Sequence, residues 1–359
     1  MTSRDLTPTV DAAVDTAAGD VAARVTPLHP AATAPGAAAS HAAEATAHKR
    51  PFVRATEVWV PTRDRTQLEL ASSLYGPLTD FEAASTDMRF DYDEGLPGKA
   101  WAAGHPIVLK DLTTSYFKRG AAAQGAGLTC GVAIPIFSGR FIMAVLVLFC
   151  GDEDDHVGAI EVWNAPPDSP EMGLADGYYG AADVFEWTAR RTKFMRDVGL
   201  PGQVWASGMP VVMSDLGTGR FLRWESAREV GIARGLGLPV DGTAEGSWVL
   251  TLLSALGTPI ARRFEVWVPN PTHGGLDLRS GYCEHDGELG SGAEGVTRIA
   301  ADAGALGGVL RSGVPALCAD LSTEPEPIAA AAARAGLESL VAAPVIAGAE
   351  LQAVVAWYL

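Results

Sequence analysis

The sequence is short of several things, and each shortage narrows what the protein can be. No apolar run reaches the roughly 20 residues that a membrane-spanning helix needs; the longest, "FIMAVLVLFC" at 141–150, reads as a buried strand. Cysteine is scarce: Cys130, Cys150, Cys283 and Cys318 lie far apart with no CxxC pair. That spacing excludes a dense disulfide framework and a thiolate zinc site, leaves the thiols as inert buried groups, and makes a reducing, cytoplasmic setting the default. Basic charge is short too, 27 Lys and Arg against 43 Asp and Glu for a formal charge of −16. With no basic cluster able to follow a phosphate backbone, neither nucleic acid nor a membrane is an expected partner.

Catalytic signatures are missing as well. The seven histidines are scattered, and no HExxH, GxSxG or P-loop spacing occurs, so no catalytic residue or metal ligand is assigned and an enzyme is not expected. The acidic run "DEDDH" at 152–156 reads as a solvated linker. Residues 1–50 have almost no aromatic or branched apolar side chains and are rich in Ala, Pro and Thr, a composition that cannot offset chain entropy, so a disordered tail is expected there. The tail lacks the apolar core of a signal peptide, and Asp5, Asp11, Asp15 and Asp20 argue against a transit peptide.

What is present is a repeat. "EVW" occurs at Glu57, Glu161 and Glu265, a step of 104 each time. "GLPGKAWAAGHP" at 95–106 returns as "GLPGQVWASGMP" at 199–210 and, drifted, as "GALGGVLRSGVP" at 304–315. A proline inside a later apolar strand falls at Pro135, Pro239 and Pro344. Three landmarks with one step imply triplication, with units at 51–152, 153–256 and a degenerate third at 257–359.

Within a unit, "EVWVP" opens a strand, and an alternating stretch such as "LELASSLYG" follows as its hairpin partner. Phe81 and Phe90, matched by Phe185 and Phe194, are expected core anchors. The Leu-Pro-Gly sequence suits either a type II turn or a proline in the first turn of a helix; the short helix "GKAWAAG" should then end on Gly104 in a left-handed cap. An extended segment closes on Asp111, Asp215 or Asp320. A second helix follows through "SYFKRGAAAQ", "RFLRWESAREVGIA" or "PIAAAAARA", each ended by a glycine (Gly125, Gly235, Gly336), and two apolar strands joined at Gly139, Gly242 or Gly348 finish the unit. The fold class is α+β, a mostly antiparallel sheet with short helices, three times over.

This order, with "GLPGxxWxxGxPxxxxDL" and a helix bearing Phe and Arg, resembles the GAF domain family over about 300 of the 359 residues, strongly in the first two units and weakly in the third. The resemblance implies an antiparallel sheet with helices on one face and a pocket on the other, and a role in small-molecule sensing or dimerisation inside signalling proteins. No cyclic-nucleotide, bilin or methionine sulfoxide reductase signature is present, so no cofactor is assigned. The inter-unit linkers are short, and the chain ends on "VVAWYL", inside a strand; a signal is expected to leave through a separate output protein or self-association.

Each candidate pocket residue carries a functional and a structural expectation. Trp101 and Trp205 offer an apolar face for a ligand, or fill the core of a short helix. Asp111 and Asp215 can orient a ligand amine, or cap a helix. Arg119 and Arg223, with Phe117 and Phe221 two residues before them, can clamp an anion, or pair with an acidic neighbour. Ala330 stands at that place in the third unit, so any anion site belongs to the first two. Tyr75, Tyr178 and Tyr282 align as strand residues packing across a hairpin. The expected function is a non-enzymatic regulator that binds a small molecule and signals through a partner; the alternative is a ligand-free scaffold. A ligand sensor predicts a cavity lined by equivalent residues, a scaffold filled interiors and an exposed apolar patch.

Overall fold

The computed structural model describes residues 51–151, 156–218, 220–290 and 297–359. The tail at 1–50 and the acidic residues of the linker at 152–155 lie outside the described residues.

The first stretch runs β1 (Val53–Pro61), β2 (Gln67–Leu74), α1 (Thr79–Ala83), β3 (Arg89–Asp91), α2 (Gly95–Ala103), β4 (Ile107–Leu109), α3 (Gly120–Gly125), β5 (Leu128–Ser138) and β6 (Phe141–Gly151). The second repeats it as β7 (Val157–Ala165), β8 (Met172–Gly180), α4 (Asp183–Ala189), β9 (Lys193–Phe194), α5 (Gly199–Ser207), β10 (Val211–Met213), α6 (Trp224–Glu229), β11 (Ile232–Val240) and β12 (Ser247–Ala255). The third has β13 (Arg263–Asn270), β14 (Gly275–Cys283), β15 (Gly287–Gly290), β16 (Arg298–Ile299), α7 (Gly304–Ser312), β17 (Ala316–Cys318), α8 (Glu326–Ala335), β18 (Leu340–Ala347) and β19 (Glu350–Tyr358).

Each stretch builds its own antiparallel sheet with one strand order. The first reads β3-β2-β1-β6-β5-β4, the second β9-β8-β7-β12-β11-β10, and the third β15-β14-β13-β19-β18-β17 with β16 also on β14. The opening strand of each unit therefore pairs within its own unit, with the hairpin partner on one side and the last strand on the other.

Helices cover only one face of each sheet. Side chains alternate along a strand, so Val145, Val147 and Phe149 of β6 join the helix-side core with Trp59, Phe81 and Phe90. Ala144, Leu146, Leu148 and Cys150 face the other way, into a core that also holds Leu236, Leu250 and Leu252 of the second sheet and Val341, Val355 and Trp357 of the third. Burial on both faces explains the unbroken apolar run at 141–150. The three sheets meet in a ring: β4 lies against β8, β10 against β13 and β14, and β17 against β2. Lys110 at the first junction bridges to Asp176 at 2.9 Å, and Arg234 at the second bridges to Glu284 at 2.8 Å.

Some local expectations hold and others are corrected. The Gly-Leu-Pro-Gly motif is the first turn of a helix rather than a β-turn, since α2 and α5 begin on Gly95 and Gly199. Gly98 has no room for a side chain, because a Cβ would sit 2.1 Å from the Asp91 carbonyl oxygen. Gly104 ends α2 at φ 67°, the left-handed cap that a residue without Cβ adopts at little cost. The second helix is shorter than its sequence suggested: Phe117 and Arg119 precede α3, and Phe221 and Arg223 precede α6. Gly235 lies within β11, and the glycine after α6 is Gly231, at φ 80°.

The tyrosine alignment also shifts by one residue. Glu57 pairs with Ser73, whereas Glu161 and Glu265 pair with Gly177 and Gly281. Tyr75 is therefore matched by Tyr179 and Cys283. Tyr178 faces the shared core instead, where its ring lies 5.5 Å from Phe52 and its hydroxyl donates to the Gly151 carbonyl at 2.7 Å.

Candidate functional site

The glutamate of each "EVW" is completely buried on the helix side of its sheet. Residues two apart on a strand share a face, so the Trp59 indole donates to Glu57 at 2.8 Å, Trp163 to Glu161 at 3.0 Å, and Trp267 to Glu265 at 2.9 Å. A buried carboxylate requires a cation or further donors. In the first unit Arg119 makes a two-pronged contact with Glu57, its Nη2 at 2.9 Å from Oε2, and also donates to Ser85. Tyr75 adds a hydroxyl at 2.8 Å. In the second unit Arg223 places Nη2 at 2.8 Å from Glu161 Oε2, with Tyr179 and Thr251 completing the shell at 3.1 Å and 3.0 Å.

Aromatic rings close around each guanidinium. Trp59, Phe81, Phe117 and Phe149 surround Arg119, the nearest centroid 4.7 Å away at Phe81; Trp163, Phe185, Phe194 and Phe221 surround Arg223, with Phe185 at 4.5 Å. Arg119, Phe117, Arg223 and Phe221 are thus brought together with a buried acid, and the two arginines keep about 4% or less of their surface exposed.

The third unit reaches the same neutrality by another route. Arg263, two residues before Glu265 on β13, donates through Nε at 2.7 Å, and Tyr358 from β19 supplies the hydroxyl. Loss of the helix-side arginine is matched by an arginine on the strand itself. Burial, and then the adjacent carboxylate, pushes the phenols of Tyr75, Tyr179 and Tyr358 well above their ordinary value.

The remaining candidates lie elsewhere. Trp101 is half-buried with its ring edge-on to Tyr92 at 5.2 Å, and Trp205 sits under the Arg196 guanidinium at 4.2 Å. Asp111 and Asp215 are exposed turn caps: Asp111 accepts from the Thr113 and Thr114 amides at 2.8 Å and 2.9 Å, and Asp215 from the Gly217 amide at 2.7 Å. Hydrogen bonds from Thr114 and Thr113 hold the Asp111 carboxyl well below the usual range. Cys130, Cys150 and Cys283 are buried, with burial pushing the Cys150 thiol up; Cys318 is partly exposed. Among the described residues no group of His, Cys, Asp and Glu is arranged to hold a metal ion, and no helix is long and apolar enough to cross a membrane.

Two features escape a reading of the sequence. The first is a cavity of about 40 Å³ where the three sheets meet, lined by Ile134–Phe137, Leu238–Asp241 and Ala343–Ile346, with Leu146 and Trp357 beneath. The repeat step makes these three four-residue stretches equivalent. The second is a set of large apolar side chains on the second unit, Val184, Trp187, Met195 and Leu222, each more than half exposed. The first unit has Asp80, Ala83, Asp91 and Lys118 at the corresponding places. Arg190, Arg191, Lys193 and Arg196 lie in the same stretch of the second unit, a local basic run that the acidic total conceals.

His105 stacks flat on Trp248 across the junction of the first two units, with centroids 4.0 Å apart.

Residues 52–164 match the model of the GAF domain family, a match that runs past Gly151 into β7. Solved structures similar to the chain include the GAF domain of A. aeolicus nlh2 in an inactive state, at 24% identity and TM-score 0.23, covering 28% of this chain and 59% of that one. Free methionine-R-sulfoxide reductase from Neisseria meningitidis, in complex with its substrate, is similar at 21% identity and TM-score 0.22, covering 27% of this chain and 52% of that one. A GAF domain/HD domain protein from Geobacter sulfurreducens is similar at 17% identity and TM-score 0.24, covering 28% and 63%. The chain therefore spans under two thirds of the length of each. No curated protein matches it.

Proposed function

We propose that the chain is a non-enzymatic regulatory protein made of three GAF units, at 51–152, 153–256 and 257–359, behind a tail at 1–50. It binds a small molecule in the cytoplasm and passes the occupancy to a partner. GAF domains as a class are sensory and regulatory small-molecule-binding domains. The observation that carries the reading here is the cavity at the meeting of the three sheets, because a ligand there touches the same four positions of every unit and its binding is coupled to how the units pack.

Native mass spectrometry of the purified chain, followed by thermal shift against a panel of metabolites and nucleotides, tests it. A ligand that prefers the native state must raise apparent stability. A co-purifying small molecule or a reproducible shift supports the reading, and neither sinks it.

A ligand-free scaffold is the second reading, favoured by the exposed apolar side chains of Val184, Trp187, Met195 and Leu222 on the second unit. In either reading that face is the contact for an output protein or for a second copy. Light scattering should show self-association of the chain, and giving the second unit the first unit's residues there (Val184→Asp, Trp187→Ala, Met195→Asp, Leu222→Lys) should leave folding intact and abolish it.

A further inference from the structure

The first two units carry the same helix-and-strand stretch on the helix side of their sheets, and the two versions have opposite charge. Residues 79–94, through α1 and β3, hold six acids against one base; the equivalent 183–198, through α4 and β9, hold four bases against three acids. In the third unit the strand β15 stands in that place.

On the first unit Asp80, Glu82, Asp87 and Asp91 are exposed, and the ion pairs of the stretch go to other acids: Arg89 to Glu69, Lys99 to Asp93 and Lys118 to Glu94. Tyr92, 59% exposed, stands among these carboxylates. On the second unit Arg190 is taken by Glu186 of the same helix, but Arg191, Lys193 and Arg196 are exposed and have no carboxylate partner among the described residues. Arg191 lies over the exposed Trp187 ring at 4.0 Å. Val184, three residues before Trp187, shares its side of the helix, and stacking of Phe185 on Phe221 at 6.4 Å sets Leu222 alongside. The second unit thus presents apolar side chains rimmed by bases, the pattern of a contact surface, and the first unit an acidic surface with one exposed ring.

Both surfaces lie away from the shared core, on different units, so one copy cannot close its own two faces on each other. Every other copy supplies what each face lacks. The net charge of −16 opposes indiscriminate contact between copies. Charges are screened beyond about 8 Å at physiological salt, so a local match of opposite sign decides where two copies meet.

We infer that the chain associates with itself head to tail, the face of α4 and β9 on one copy docking on the face of α1 and β3 on the next. The contact is heterologous: each copy uses one face of each kind, and association runs on unless a ring closes. The inference rests on the reading of the second unit's exposed side chains as a contact with a second copy, and it names the surface they meet.

Sedimentation velocity of the full chain over a range of concentrations tests it. The native chain should associate, and raising the salt from about 0.05 M to about 0.5 M should weaken association by about tenfold or more. Asp80→Lys with Asp87→Lys makes both faces basic, and Arg191→Glu with Lys193→Glu makes both acidic. Each double variant alone should be monomeric. Mixed in equal amounts the two should associate again, because each offers the other a face of opposite sign. Carbodiimide coupling of an equal mixture of isotopically light and heavy native chain should join Lys193 of one copy to Asp80, Glu82, Asp87 or Asp91 of another.

Self-association of the Asp80→Lys, Asp87→Lys variant would reveal second-unit faces meeting each other and overturns the inference, as does a mixture that stays monomeric or association indifferent to salt. If the native chain associates and the mixture does not, the scaffold reading stands and this pairing of faces fails. A native chain that is monomeric at every concentration overturns both, while the thermal-shift panel decides the small-molecule reading independently. Should a double variant not fold, the coupling pattern of the native chain decides: links from Lys193 only to acids outside the α1–β3 face overturn the inference.

Discussion

Arg119 reaches Glu57 from 62 residues away, and Arg223 reaches Glu161 from the same 62, each arriving at a carboxylate with no exposed surface. The repeated separation makes the ion pair part of the fold of the first two units. Each guanidinium meets its buried acid through both Nη atoms and is enclosed by rings, while its Nε is buried without a hydrogen-bond partner.

Removing one partner of such a pair leaves the other charge buried and unpaired. Arg119→Ala and Arg223→Ala are each expected to destabilise the chain by about 3–5 kcal/mol, read from the midpoint of denaturant unfolding. A loss below about 1 kcal/mol, the range of exposed pairs, would show that the pair is not buried in solution.

Alkaline pH should unfold the protein through the same centres. The phenols of Tyr75, Tyr179 and Tyr358 are raised in the folded state, chiefly by burial. Their contribution is complete below the unfolded tyrosine pKa of about 10. Above it the unfolded chain binds fewer protons than the folded one, so stability falls as pH rises, by about 1.4 kcal/mol per pH unit for each tyrosine. Tyrosinate absorbance should show these three ionising only together with unfolding. Their titration in the folded protein near the ordinary value would contradict the buried arrangement.

One substitution should act with opposite sign at two glycines. Gly98→Ala drives a Cβ to 2.1 Å from a backbone oxygen and is expected to destabilise by about 1–3 kcal/mol. Gly125, within α3, has nothing within 4 Å of where its Cβ would stand, and Gly125→Ala should stabilise by about 0.4–1 kcal/mol. Comparing the two melting temperatures checks the helix geometry.

The shared core should make the three units one folding unit. Leu146, Leu252 and Trp357 come from three different sheets and are all within 1% of full burial. We expect one calorimetric transition for the whole chain, and aggregation of residues 51–152 expressed alone, since its sheet would present Val132, Ile134 and Leu148 to water. Separate transitions for separate units would refute the closed ring.

Much of this molecule was legible because the repeat was. The common step aligned Trp59, Phe81 and Phe90 with Trp163, Phe185 and Phe194, and all six are buried where strand and helix periodicity put them. Gly104 caps its helix in the left-handed conformation as expected, and Gly208 does the same in the second unit. The candidate site was legible only in part. Arg119 and Arg223 stood out, with an acidic partner as one of two expectations, but nothing near them in sequence identified Glu57 and Glu161. The glutamate inside "EVW" was the available signal, because an acid in the middle of a buried strand demands a counter-charge. Tyr178 was misread because the one-residue shift in pairing between β1–β2 and β7–β8 turns a side chain to the opposite face.

The sequence by itself determined the local matters: the strands and helix stops, the repeated units, the likeness to GAF domains and the residues that anchor each helix-side core. These depend on spacing of two, three or four residues and on turn chemistry, which any short stretch carries within itself. Only the tertiary structure decided which charges meet across 62 residues, that the second face of each sheet is covered by the other two, and that Ala343, Asp241 and Trp357 share one cavity. Those contacts join distant segments, and packing in three dimensions alone brings such segments together.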